Sequence, residues 1–156
     1  MRARGFSLLE LMVAAAVIGI AGAMALPAYL DAVRRSQRTA ARALLGELAA
    51  RQESFFADRR TYAITLGGLG YPADMLYLGP DSRPSAAAAR ASYAITLAAW
   101  SAAAAADCSA TGAAQATRFI LVAAPLGAQL RDRCRKLCLA SDGARGTSSG
   151  RDDCWR

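Results

Sequence analysis

The chain opens with a long apolar run. From Phe6 to Leu26, 21 residues carry one charge, Glu10. As a helix at ~1.5 Å per residue they extend about 30 Å, the thickness of a bilayer core. Beyond Pro27 the pattern becomes amphipathic: Leu30, Val33, Leu44, Leu45, Leu48, Gln52, Phe55 and Phe56 fall mostly on one side of a helix. Arg34, Arg38 and Arg42 recur every four residues on another side, which predicts a solvated charged face, with anionic lipid headgroups or acidic groups of a neighbour as alternatives. Asp31–Arg35 and Glu47–Arg51 stand at i,i+4 spacing and support the helix slightly. The helix is predicted to end near Asp58, about 80 Å from Phe6 at ~1.5 Å per residue. That is too long for the core of so small a domain, and it predicts an apolar anchor followed by a packed half. Gly19 and Pro27 punctuate the anchor. Proline removes a helical hydrogen bond, so a kink is expected there.

The next stretch, residues 58–92, reads as a loop crossing from helix to sheet. It holds the turn-rich Gly67-Gly-Leu-Gly-Tyr-Pro72, with Tyr62, Leu69 and Tyr71 as expected anchors. Three strands are predicted after it. Tyr93 to Trp100 alternates, with Tyr93, Ile95 and Leu97 on one face. Thr117 to Ala124 is apolar in its middle and suits a central strand. Cys134 to Ser141 puts Leu137 and Leu139 on one face, and Cys134, Lys136 and Cys138 on the other. Ala102 to Ala106 reads as a loop, and Pro125-Leu-Gly127 begins a turn. Short strands after a long helix predict an α+β fold, an antiparallel meander packed on the helix's apolar face.

Composition narrows the chemistry. With 156 residues the chain has room for one domain. Hydrophobic residues make up 54%, much of it alanine, so the core is modest. The formal charge is +7, and Lys136 is the one lysine among 19 basic residues, a bias in keeping with a GC-rich genome. There is no histidine, which excludes His-based acid–base chemistry and His-ligated metal sites. No residue set resembles a catalytic site, so no enzyme activity, cofactor or metal is assigned. Four cysteines, Cys108, Cys134, Cys138 and Cys154, are an even count that points to two disulfides in an oxidising compartment. Cys134 and Cys138 in one strand would stand roughly 13 Å apart, out of bridging reach, so each needs a distant partner.

The segment Gly5-Phe6-Ser7-Leu8-Leu9-Glu10-Leu11-Met12, after the basic Met1 to Arg4, resembles the class III signal sequence of type IV pilins and type II secretion pseudopilins. A plain secretory signal peptide with an A-x-A site at Ala23-Met24-Ala25 is the competing reading. The carboxylate, the length of the run and the helical pattern beyond Ala25 all speak against it. The resemblance implies cleavage by a prepilin peptidase between Gly5 and Phe6, and N-methylation of Phe6. It also implies that Glu10 pairs with the Phe6 amine of a neighbouring subunit, which would set the docking register, and that the stretch from Gly19 to Pro27 bends. Arg51 to Tyr62 resembles the end of the long helix in PilE-like pilins. The pattern from Cys134 to Trp155 resembles their C-terminal region, where a disulfide closes a loop. Mapped residue by residue, that bridge is Cys134–Cys154. Cys108 and Cys138 depart from the simplest family pattern and would form a second bridge, although four cysteines allow three connectivities.

The resemblance therefore implies a type IV pilin fold: leader 1–5, transmembrane or filament-core half-helix 6–30, and globular domain 31–156. The implied function is that of a structural subunit of a type IV pilus, a minor pilin, serving motility, adhesion or DNA uptake. Its implied partners are other pilin subunits, the prepilin peptidase, the inner-membrane assembly platform and the inner membrane itself. The precursor would sit in the inner membrane with its globular domain in the periplasm, and the mature subunit in an extracellular filament. A major pilin and a type II pseudopilin are the nearest alternatives. A pilus-tip adhesin for a host surface or a DNA-binding module is the alternative of a different class, motivated by Arg131, Arg133, Arg135 and Lys136, whose simpler reading is a solvated strand edge.

Overall fold

The computed structural model describes residues 7–156; Gly5, Phe6 and their predicted cleavage junction lie outside the described residues. The chain falls into two compact units divided between Arg34 and Arg35. Helix α1, Leu8–Arg59, supplies the described residues of the first apart from Ser7, and the opening element of the second.

In the first unit α1 is helical through Gly19 and Pro27. Pro27 has no N–H to give the Ala23 carbonyl, yet Leu, Ala and Met on either side favour helix enough to carry it. Asp31 pairs with Arg34 at 2.5 Å, not with Arg35 as the i,i+4 spacing predicted.

In the second unit the same helix becomes amphipathic. Ala41, Leu44, Leu45, Leu48 and Gln52 are buried, a stripe at helical spacing. Gln52 belongs to that stripe because its amide is satisfied: it donates to the Ala63 carbonyl and accepts from the Ala63 N–H, both at 2.9 Å. α1 ends at Arg59, and the next residue, Arg60, turns left-handed (φ 58°) while its N–H caps the Phe56 carbonyl. Tyr62 then stacks on Phe56 and meets Phe119 edge-on. Leu69 is buried, and Tyr62 and Tyr71 pack against the same core.

Among the described residues six strands form one antiparallel sheet: β1 Met75–Leu78, β2 Pro84–Ser85, β3 Tyr93–Ala98, β4 Ile120–Pro125, β5 Leu137–Ala140 and β6 Arg145–Thr147, in the order β2-β1-β3-β4-β5-β6. Tyr93 and Ile95 of β3, Leu121 and Ala123 of β4, and Leu137 of β5 meet the α1 stripe in the main core. The apolar β4 is a central strand, as its composition predicts.

Three sequence expectations need correction. Residues 58–92 are not all loop: Leu76 and Leu78 are buried, and that alternation makes β1, paired to β3 from Met75↔Thr96 to Leu78↔Tyr93. The strand at the third prediction is shorter than Cys134–Ser141, and β6 follows it through a turn at Gly143 (φ 81°). The Ala102–Ala106 loop is a helix, α2, Ala102–Asp107. Ser101 caps it by accepting from the Ala104 N–H, Cys108 closes it in the left-handed region, and alanine is the best helix former.

α2 covers the other face of the sheet. Ala104, Ala105 and Cys108 pack on Ile120, Val122, Cys138 and Ala140 in a second, smaller core. Gly146 of β6 makes this approach possible. A Cβ there would meet the carbonyl oxygens of Ala105 and Ala106 and the Sγ of Cys138, the last two at 2.6 and 2.8 Å. Gly146→Ala is therefore expected to lower stability by about 1–3 kcal/mol through overpacking. Denaturant unfolding of the full chain in mild detergent measures it, and an unchanged midpoint would show that α2 yields at no cost.

Candidate assembly segment and disulfide-closed region

The assembly segment is built by α1 alone. Between Leu8 and Leu26 the large apolar side chains are 57–77% exposed. This stretch lies in the one helix, among the described residues, that is long and apolar enough to cross a membrane. Glu10 stands in its first turn, exposed. No side-chain hydrogen bond or ion pair joins its carboxylate to another described residue. Phe6, its proposed partner on a neighbour, lies outside the described residues. Gly19 is exposed, with open space where a Cβ would stand.

The second candidate region is closed by two disulfides. Cys134 is bonded to Cys154, with their Cα atoms 5.8 Å apart, and Cys108 to Cys138, 5.5 Å apart. All four cysteines are buried. Antiparallel pairing of β4 and β5 sets Cys138 opposite Val122 on the α2 side, where the left-handed Cys108 reaches it from the end of α2. Cys134 does not share that face as predicted. It precedes β5 and sits in the main core with Leu137, because the chain turns left-handed at Arg135 and resets the alternation.

The Arg34–Arg38–Arg42 row also differs from its prediction. Arg38 is only 6% exposed. Its Nη1 donates to Asp132 Oδ1 at 2.6 Å and lies 3.0 Å from Cys134 Sγ. Asp132 in turn accepts from the Tyr93 hydroxyl, which accepts from Gln129 Nε2 at 3.0 Å. This buried network ties α1 to β3 and to the segment leading into Cys134. Arg42 donates to the backbone carbonyls of Cys154 and Arg156 and so fastens the tail to the helix. Sequence periodicity could not separate a solvated arginine from one with a buried carboxylate 94 residues away.

Residues 131–135 alternate between outside and inside. Asp132 and Cys134 are buried while Arg131, Arg133 and Arg135 are exposed, as is Lys136 beyond them. Arg133 and Arg151 both reach Asp153, which holds its carboxyl below the usual range, mainly through the Arg151 hydrogen bond. Trp155 donates its indole N–H to the Gly146 carbonyl, and Arg145 stands over its ring. Among the described residues no cluster could hold a metal ion.

Comparison with known proteins gives two family matches. The family described as the type IV minor pilin ComP, DNA uptake sequence receptor, matches residues 27–138. The prokaryotic N-terminal methylation motif matches residues 1–26. Similar curated proteins include the type IV major pilin protein PilA of Myxococcus xanthus (strain DK1622), 37% identical over 70 residues, 45% of this chain and 32% of that protein. Fimbrial protein EcpC of Eikenella corrodens is 45% identical over 56 residues, 36% of this chain and 37% of that protein. Fimbrial protein Q of Moraxella bovis is 53% identical over 47 residues, 30% of this chain and 28% of that protein. The chain thus spans about a third of the length of the curated relatives it matches.

Two outcomes follow from the buried network. Removing one partner strands the other charge, so Asp132→Leu or Arg38→Met alone should cost about 3–5 kcal/mol, and the two together should cost less than either single loss. Denaturant unfolding of the four proteins tests this; equal costs for single and joint changes would contradict it. Burial raises the Tyr93 hydroxyl above the ordinary tyrosine value, with the Asp132 carboxylate adding to the shift. A raised folded-state pKa gives stability that is full below the unfolded value, about 10, and is lost as pH rises through the folded one. Unfolding free energy should therefore fall above about pH 10, and less steeply in Tyr93→Phe. A slope unaltered in that variant would remove Tyr93 as its source.

Proposed function

The chain belongs to the type IV minor pilin family whose model it matches over residues 27–138, and from that premise we propose that it is a structural subunit of a type IV pilus, assembled from a membrane-anchored precursor. The observation that carries this reading is the exposed apolar face from Leu8 to Leu26 with one carboxylate, Glu10, in its first turn. The match of residues 1–26 to the N-terminal methylation motif supports it.

In this reading a prepilin peptidase cuts between Gly5 and Phe6 and frees an amine on Phe6. Before assembly the apolar helix rests in the inner membrane, with Glu10 near its cytoplasmic edge and the globular domain in the periplasm. In the filament the helices of neighbouring subunits cover one another's apolar faces. Glu10 then loses its water, and an unpaired buried carboxylate is costly. The Phe6 amine of a neighbour, reached through the assembly platform, neutralises it and selects one register. The helix around Gly19 and Pro27 is where the backbone gives most easily, since Pro27 leaves one carbonyl without its helical donor.

A second role rests on the outward cations. The matched family is described as a DNA uptake sequence receptor. Arg131, Arg133, Arg135 and Lys136 are exposed on this chain. Phosphates would be their natural partners, by counterion release. DNA retention by the full chain in detergent should weaken steeply with salt, and Arg131→Ala with Arg135→Ala should reduce the slope by about 0.9 per lost contact. Retention that ignores both salt and these changes would leave the cations as a solvated edge.

The assembly role has its own test. Glu10→Ala should keep normal precursor levels in the membrane while incorporation into sheared filaments drops at least tenfold. Normal incorporation would eliminate the pairing of Glu10 with the Phe6 amine.

A further inference from the structure

The Cys134–Cys154 bridge is electrostatically lopsided. Cys134 Sγ lies 3.0 Å from the Arg38 guanidinium, in a buried setting. Cys154 Sγ lies 3.8 Å from the Asp153 carboxylate. A cation beside sulfur favours the thiolate, and a carboxylate beside it favours the thiol. We propose that Arg38 is a positioning residue for disulfide formation: it makes Cys134 the thiolate end, so that the bridge closes by attack of Cys134 on a mixed disulfide carried by Cys154.

The fold supplies an order for the two ends. Asp132, paired with Arg38, anchors the chain to α1 two residues before Cys134. That anchor needs nothing from the tail. The tail bearing Cys154 is held by weaker ties: the Trp155 indole on Gly146, the Thr147 hydroxyl on Arg151, and Arg42 on the Cys154 carbonyl. Cys134 is thus seated first and Cys154 arrives later. Cys154, while the tail is still undocked, gives its thiol proton to water and its sulfur attacks an external disulfide, R–S–S–R, giving Cys154–S–S–R and one RS⁻, which takes a proton from water. The Cys134 thiolate then attacks Cys154 Sγ, the bond to SR breaks, and a second RS⁻ leaves and takes a proton from water. Two protein thiols are oxidised and one external disulfide is reduced to two thiols. In reverse, an external thiolate attacks Cys154, and Cys134 departs as the better leaving group.

The charged and titratable groups around the two sulfurs are few. Arg38 faces Cys134 from α1, and its charge is shared with Asp132. The second Asp132 oxygen is held by the Tyr93 hydroxyl from β3. On the Cys154 side Asp153 is itself held by Arg133 and Arg151, and the Arg42 guanidinium stands on the Cys154 carbonyl from α1. Arg38 therefore favours the thiolate at Cys134, with its charge shared by Asp132, while at Cys154 the Asp153 carboxylate is offset by Arg133 and Arg151.

Two single-thiol proteins test this, each the full chain in mild detergent with Cys108–Cys138 intact. Cys154→Ser leaves Cys134 free, and Cys134→Ser leaves Cys154 free. The rate of alkylation by iodoacetamide is followed from pH 5 to pH 10. The Cys134 midpoint should fall about one unit or more below the ordinary thiol value of about 8.5, and the Cys154 midpoint should not. Arg38→Gln in the Cys154→Ser background should raise the Cys134 midpoint, and Arg38→Lys should restore it at least in part. Equal midpoints for the two thiols would overturn the proposal, whether because Arg38 has no influence or because the seat does not form without the bridge. So would a Cys134 midpoint unmoved by Arg38→Gln.

Discussion

The apolar surface from Leu8 to Leu26 constrains everything else. Its large apolar side chains are all more than half exposed. Each buried CH₂ is worth about 0.8 kcal/mol, so leaving this face in water is strongly unfavourable. It needs a bilayer or other helices around it. Glu10 makes the two environments unequal: at a bilayer edge it can stay hydrated, while among packed helices it needs a cation. In the proposed assembly that cation is the Phe6 amine, which would exist only after the proposed cleavage. This is the physical link between the signal sequence and the proposed assembly.

The globular unit meets a different constraint, a core built largely from alanine and leucine. Alanine buries little area, so the sheet is held by other means as well. One bridge and the Arg38–Asp132 pair tie the segment around Cys134 to the tail and to α1. The other bridge fixes α2 over Ile120 and Val122. By the loop-entropy argument, bridges spanning 20 and 30 residues contribute about 3 kcal/mol each. That is a large share of the net stability of a small domain, about 5–15 kcal/mol. Arg38 stands in both systems, since it pairs with Asp132 and touches Cys134.

The helix and the central strands were legible because their periodicity is long and regular. Leu44, Leu45, Leu48 and Gln52 mark one face, and Tyr93 and Ile95 mark another. α2 was hidden because an alanine run has no periodicity, and its cover role depends on the apolar outer face of β4. β1 was hidden because four residues, Met75–Leu78, are too short to stand out from a turn-rich stretch. The residues alone allow three cysteine connectivities, and the family resemblance prefers the pairing seen here; that pairing depends on where β4 and β5 place Cys138 and where α2 ends. Arg38 read as one of a solvated row because its partner, Asp132, is distant in sequence and lies among surface cations.

The proposed account stands most directly on the mature N-terminus of the protein isolated from its own cell envelope. Mass spectrometry of that terminus should find the chain beginning at Phe6, with a methyl group on its amine. A chain beginning at Leu26, or one still carrying Met1 to Gly5 in assembled filaments, would contradict it.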